Sequence, residues 1–393
     1  DRNNMKKQLL GLALLALANS AMAQDANTLR IKGQLDVFTD SILVYHTSPK
    51  NVVDTIALKD GKMDFSINLD KPQMIQLASP AFARGEQQAR QAGQTAWLVG
   101  VPGETMEISG DELSRLNYSG SEFYKQYGMI DCIKDSFIAK MNNFQDEYRT
   151  RLAAGENKQL VTNDVMKKME ACDGAYKDAV LDFVKNHPDY EASTMALYEL
   201  EDYDSIMKAL GFLSERVREG RMKDVYSEFV DNAKKAKESE EKAAKLQAAG
   251  VEAPDFTLND INGKPLTLSS LRGKIVVLDF WGSWCGWCIK GMPQMKEYYA
   301  KYKGKLEILG IDCNETQEKW KAAVAKHELP WLHVYNPRGA KNDVCQTYAI
   351  NGFPTKIIIG ADGKIIKTIV GEDPEFYTCL LYTSPSPRDY AAS

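Results

Sequence analysis

Between residues 28 and 118 apolar and polar positions alternate in short runs, the period expected of half-buried strands. Residues 29–33, 41–45, 64–69 and 74–77 read this way, with turn signals such as Asp60-Gly61 between them. Pro102-Gly103-Glu104 introduces a further strand over 105–108. The pattern predicts a small antiparallel β-sandwich over residues 24–120, interrupted by an exposed Gln- and Arg-rich loop at 84–94. The texture changes from 121 to 248, where glycine is sparse, proline occurs only at Pro188, and apolar residues recur at helical spacing. Phe137, Met141, Phe144 and Tyr148 form one stripe, and Ala179, Phe183 and Val184 belong to another. Both read as helix packing rather than as a face for a partner. Residues 250–254 then separate this helical region from the C-terminal third of the chain.

That third alternates strand with helix. Residues 275–281 predict a buried strand and 286–301 a helix. A second strand (306–312), a helix near 315–327, a strand (331–335) and a helix (340–349) come next. Residues 355–359 and 364–370 predict a hairpin around Asp362-Gly363. Such alternation implies an α/β sheet with parallel members.

A chain of 393 residues is long enough for two or three domains. Its net charge of −5 gives no electrostatic footprint for nucleic acid or an anionic membrane. The charge-rich run 234–245 mixes both signs and reads as a solvated helix face. Met5-Lys6-Lys7, an apolar stretch from Leu9 to Ala18, and Ala21-Met22-Ala23 before Gln24 have the form of a cleaved secretory signal over 5–23. The stretch is too short to span a bilayer. No cysteine stands at the cleavage site, so nothing suggests a lipoprotein. Residues 1–4 look like translated upstream sequence, and the mature protein is expected outside the cytoplasm, in the periplasm or otherwise exported.

Export changes how the seven cysteines are read, since structural disulfides and redox catalysts both become available. Only Cys285 and Cys288 form a C-x-x-C, and this pair follows a predicted strand and opens a predicted helix. A thiol at a helix N-terminus faces unsatisfied N–H groups and the positive end of the dipole, which favour thiolate, the nucleophile of disulfide exchange. Three-residue spacing puts the second thiol on the same turn. Cys285 is therefore assigned as the attacking thiol and Cys288 as the resolving one. The alternatives are a purely structural bridge or half of a zinc site. Zinc calls for four ligands, and His46, His187, His327 and His333 include no pair at ligand spacing near a second thiol pair. No metal or other cofactor is expected beyond the redox-active cysteines. Cys313 and Cys345 read as two unpaired buried thiols, ahead of a pair or a second relay. For Cys132 and Cys172, a bridge between neighbouring helices and two free thiols stay open.

The segment Val277-Leu278-Asp279-Phe280-Trp281-Gly282-Ser283-Trp284-Cys285-Gly286-Trp287-Cys288 resembles the active-site segment of thioredoxins. Ala253-Pro254-Asp255-Phe256-Thr257-Leu258, Asn262-Gly263-Lys264 and residues 268–274 resemble the entry of TlpA-like members, an entry shared with AhpC/TSA proteins. Gly352-Phe353-Pro354-Thr355 resembles the family's cis-proline loop. The resemblance covers residues 251–377 and implies a thioredoxin-like domain over 249–378. The β-sandwich and helical region are similar to the N-terminal extension of some TlpA-like proteins. By resemblance, Asp279 is the buried acid that accepts the proton of Cys288, and Trp284 packs beside the thiols, whereas Trp281 belongs to the core. Pro354 lies opposite Cys285 with its cis bond exposing backbone to an extended substrate. Trp284, Gly286, Trp287, Phe353 and Pro354 then form the substrate-facing surface. The implied partners are protein thiols and disulfides, together with a redox partner such as a membrane electron donor. Gly286-Trp287 replaces the Gly-Pro usual in thioredoxins. Gly291 stands where many TlpA-like proteins carry a glutamate, so no acid–base role transfers to it.

Two rival functions compete with this one. A peroxiredoxin-like peroxidase needs Pro-x-x-x-Thr/Ser-x-x-Cys, but aligned on Cys285 this chain has Leu278 and Gly282 at those positions. A non-catalytic folding adaptor or metallochaperone is opposed by the intact C-x-x-C with Asp279. Finally, residues 379–389 (Cys-Leu-Leu-Tyr-Thr-Ser-Pro-Ser-Pro-Arg-Asp) can be spelled by a transposase end joined to a sequencing adapter. The expectation is that 379–393 is a technical tail that replaces a final helix and leaves part of one sheet face bare.

Overall fold

The computed structural model describes residues 26–383 apart from Ser48, Ser114, Ala340 and Pro374. The segment 5–23, expected to be a signal, and residues 384–393 lie outside the described residues. Contacts divide the chain into two units, meeting at residues 234 and 235.

In the first unit, β1 (Thr28–Gln34), β2 (Ser41–His46), β3 (Val52–Ala57), β4 (Lys62–Asn68), β5 (Gln73–Ala78), β6 (Thr95–Gly100), β7 (Thr105–Glu112) and β8 (Arg115–Gly120) form two four-stranded sheets. Their orders are β4-β1-β7-β8 and β3-β2-β5-β6. Alternate residues such as Leu29, Ile31, Ile42, Val44, Ile75 and Leu77 are buried in one shared core. The expected sandwich is thus present but not wholly antiparallel. β1 and β7 run parallel, because some seventy residues return the chain to the same sheet. A short helix, α1 (Pro80–Ala83), precedes the expected loop at 84–94, which itself holds a second one, α2 (Gln87–Gln91). Ser79 caps α1 by accepting the Phe82 N–H, and Pro80 starts it with a preset φ.

Helices α3 (Glu122–Ala153) and α4 (Lys158–Asn186) form a long hairpin, followed by a buried 3₁₀ segment (Glu191–Glu199), α5 (Tyr203–Phe212), α6 (Glu215–Arg218) and α7 (Lys223–Leu246). Tyr124 fastens α3 to the sandwich by donating to the Val99 carbonyl at 2.8 Å. The stripe Phe137, Met141, Phe144 and Tyr148 is only half-buried, and Ala179 is exposed. Two helices bury a seam rather than a core, and Phe137 stacks on Tyr176 across it at 4.3 Å. Cys132 and Cys172 are unbridged thiols.

The contact division falls within α7, ahead of the boundary read at 248. Residues that looked like a linker are bonded into the second unit: the Gln247 amide donates to the Tyr348 carbonyl at 2.7 Å, and the Gly250 N–H to Ile365 at 2.7 Å. After a small hairpin, β9 (Thr257–Asn259) and β10 (Pro265–Thr267), comes a five-stranded sheet of order β13-β12-β11-β14-β15. β11 (Ile275–Trp281), β12 (Leu306–Asp312) and β13 (Leu332–Val334) are parallel, while β14 (Thr355–Ile359) is antiparallel to β11 and β15 (Ile365–Val370) is antiparallel to β14. Every residue of β11 and β12 is buried, as expected of strands covered on both faces. Their connections carry α8 (Gly286–Lys301) and α9 (Gln317–Lys326), and α10 (Val344–Thr347) precedes β14.

The expected break after residue 378 falls inside α11 (Glu375–Thr383). Phe376, Tyr377 and Leu380 share one helical face and are buried against the same cluster as Cys285, Cys288 and Met295. Phe376 and Tyr377 precede the segment expected to be a technical tail, and Leu380 lies within it.

Candidate active site

Cys285 is the N-cap of α8. It is disulfide-bonded to Cys288, and its Sγ accepts the Cys288 N–H at 3.1 Å. Both are almost wholly buried (5% and 4% exposed). The approach to this turn is held by specific bonds. The Cys285 N–H donates to the Gly282 carbonyl at 3.0 Å, and Glu315 accepts the Ser283 N–H at 2.7 Å. The Trp284 indole donates to the Cys313 carbonyl at 2.9 Å. A Cβ at Gly282 would lie 2.3 Å from that indole nitrogen, so the turn has no room for the Thr or Ser of a peroxidatic loop.

The Phe353–Pro354 bond is cis. Phe353 packs partly buried against the cluster containing both cysteines and meets Trp284 edge to face at 5.2 Å. Trp284 is more open than the sequence implied, at 52% exposed, and Trp287 stands out at 62% with the Lys290 ammonium 4.6 Å above its ring. Trp281 is fully buried. Among the described residues, no group of three or more His, Cys, Asp or Glu side chains is placed to hold a metal.

Asp279 lies on β11 on the same face as Val277 and Trp281, whose cluster also holds the two cysteines. Burial raises its pKa to about 6, with Lys356 opposing the rise and Glu372 adding to it. Those two groups were not visible as site residues in the sequence. Lys356 is opposite Asp279 in the β11–β14 register, is 1% exposed, and pairs with Glu372 at 2.5 Å. Glu372 reaches this position because residue 291 is glycine: a Cβ there would sit 2.3 Å from the Glu372 Oε1. A carboxylate from the turn after β15 thus fills the space that α8 leaves empty. The Tyr377 hydroxyl donates to the Gly291 carbonyl at 3.3 Å, and the Phe376 ring lies 5.4 Å from the Lys356 ammonium, so α11 closes over the same spot. The available signals were a lysine inside an apolar strand and a glycine inside a bulky helix. Nearby, burial followed by Glu315 pushes Asp312 up to about 9, and burial lowers His333 to about 4, leaving both neutral at pH 7.

Residues 249–368 match the AhpC/TSA family. The thiol–disulfide oxidoreductase ResA of Bacillus anthracis is 42% identical over 124 residues, which are 31% of this chain and 70% of the relative. ResA of Bacillus subtilis (strain 168) is 35% identical over 126 residues, 31% of this chain and 67% of the relative. Among solved structures, the thioredoxin domain of a Bacteroides vulgatus thiol–disulfide oxidoreductase is 30% identical with a TM-score of 0.33, covering 35% of this chain and 99% of that one. The identity extends over more than two thirds of a relative's length, and on that ground the chain belongs to the AhpC/TSA family and is a thiol–disulfide oxidoreductase of the thioredoxin superfamily.

Proposed function

We propose that this protein is exported and exchanges disulfides with protein substrates through Cys285-Gly286-Trp287-Cys288. In the reducing direction the Cys285 thiolate attacks a substrate disulfide and one substrate thiolate leaves. Cys288 gives its proton to the Asp279 carboxylate and attacks the Cys285 Sγ of the mixed disulfide. The second substrate sulfur is released and the Cys285–Cys288 disulfide remains, to be reduced by a partner such as a membrane electron donor. Trp284, Gly286, Trp287, Phe353 and Pro354 form the surface on which an extended substrate lies. The observation that carries this reading is a disulfide whose first cysteine caps α8, following a strand that carries a buried carboxyl with a raised pKa. Export rests on the signal pattern of residues 5–23.

Insulin reduction by dithiothreitol tests the exchange. The wild type is expected to accelerate it, Cys285→Ser to abolish the acceleration, and Cys288→Ser to accumulate mixed disulfides on non-reducing gels. Absence of both acceleration and trapped adducts would refute the assignment. Fusing residues 1–30 to a reporter that folds only outside the cytoplasm tests export, and a silent reporter would remove that part.

A further inference from the structure

Cys313 follows the last residue of β12 and is fully buried, while Cys345 is half-buried in α10. No local pattern joins them, yet their sulfurs lie 3.1 Å apart, about 1 Å beyond a disulfide bond length. Both backbones are fixed. The Cys313 N–H donates to the Trp281 carbonyl at 2.9 Å, and the Cys345 N–H to Asp343 at 3.0 Å. The Asn336 amide reaches the Cys345 sulfur at 3.4 Å. These two segments also frame the site. The Cys313 carbonyl holds the Trp284 indole, and α10 leads directly into the loop bearing Phe353 and Pro354.

We propose that Cys313 and Cys345 are a second redox pair, whose oxidation staples the segment holding Trp284 to the segment that delivers the cis-proline loop. The oxidant is a disulfide, of another protein or of a small thiol. The Cys345 thiolate, the accessible member, attacks it and expels one thiolate. Cys313 then loses its proton, attacks the Cys345 sulfur and expels the second thiolate. Two protein thiols are oxidised to one disulfide, and one external disulfide is reduced to two thiolates, which take up the two protons that the protein thiols give up. The pair acts independently of Cys285 and Cys288.

The test uses the full chain, fully reduced, equilibrated over a series of reduced and oxidised glutathione mixtures, quenched with iodoacetamide and digested with trypsin. Cys313 lies in the peptide 306–319 and Cys345 in 342–356, each the only cysteine of its peptide. The two peptides are expected joined in oxidising mixtures, both in the wild type and in a Cys285→Ser/Cys288→Ser background. Cys345→Ser must abolish the joined species, and Cys313→Ser must leave glutathione on Cys345, the arrested intermediate. Oxidation must also raise the urea midpoint read by tryptophan fluorescence in the Cys285→Ser/Cys288→Ser background, and not when Cys345→Ser is added to it. Two alkylated peptides in a mixture that oxidises Cys285–Cys288 completely would overturn the pair. So would unresolved glutathione on wild-type Cys345. An unchanged midpoint would overturn the staple.

Discussion

Replacing Asp279 by asparagine separates the two consequences of burying a carboxyl on the strand that leads to Cys285. The folded-state pKa of about 6 compares with a usual value near 3.8, a difference of about two units, or roughly 3 kcal/mol. The sign follows from proton counting. Between about pH 4 and pH 6 the folded protein holds a proton that the unfolded chain has lost, so stability falls as pH rises and levels off above the folded pKa. The amide of Asp279→Asn mimics the neutral carboxyl and carries no such loss. The variant is therefore expected to be about as stable as the wild type near pH 4 and up to ~3 kcal/mol more stable at pH 7–8. Urea titration under oxidising conditions, followed by tryptophan fluorescence, reports the second unit, which holds every tryptophan except Trp97. The quantity to compare is the difference between the two proteins, because Asp312 titrates in both. Catalysis moves the other way. Without the acceptor, resolution by Cys288 slows by about 10²-fold or more near neutrality. Stability curves that run parallel from pH 4 to 8, or exchange rates unchanged from about pH 6 to 9, would refute the respective half of the reasoning.

Lys356→Met strands Glu372 and removes the cation opposite Asp279. A loss of about 3–5 kcal/mol is expected at neutral pH, partly recovered in Lys356→Met/Glu372→Gln, as measured by urea midpoints. Gly291→Ala pushes the Glu372 carboxylate off its seat and is expected to cost about 1–3 kcal/mol, with strong non-additivity toward Glu372→Ala in a double-mutant cycle. Leu380→Ala empties a buried position of α11 and is expected to cost about 2–5 kcal/mol; a change near zero would restore the reading of residues 379–383 as an unpacked tail.

What could be read in advance was what periodicity and local chemistry encode. The buried runs 275–281 and 306–312, the helix opened by Cys285 and the hairpin around Gly363 all follow from patterns a few residues long. The strands β3 and β6 were missed because Val52–Ala57 is only half-buried and Thr95–Gly100 lacks clean alternation; β8 alternates over residues 115–119 but is short. Gly250 reads as a break in the sequence, whereas its N–H donates to the Ile365 carbonyl. The Cys313–Cys345 contact spans 32 residues and depends on where β12 ends relative to α10, information no local pattern holds. The packing of α11 is set by helical phase: Phe376, Tyr377 and Leu380 fall on one face, which the Pro- and Ser-rich composition of residues 379–389 does not reveal.

The ion pair Lys356–Glu372 changes what the buried acid can do. The pair is neutral as a unit, so titration of Asp279 moves the local net charge from zero to −1. Its two members act on Asp279 in opposite directions: Lys356 alone would hold the carboxyl ionised at lower pH, and Glu372 offsets part of that pull. The resulting value of about 6 lies below the ordinary thiol range near 8.5 and close to neutral operating conditions. A proton acceptor works best there, because it is mostly ionised before the reaction yet still basic enough to take a proton in the transition state. Glu372 can exert this influence only from beside Lys356, and it can stand there only because α8 presents a hydrogen at residue 291 instead of a side chain. The glycine that ruled out an acid at its own position is thus what admits one from the far end of β15.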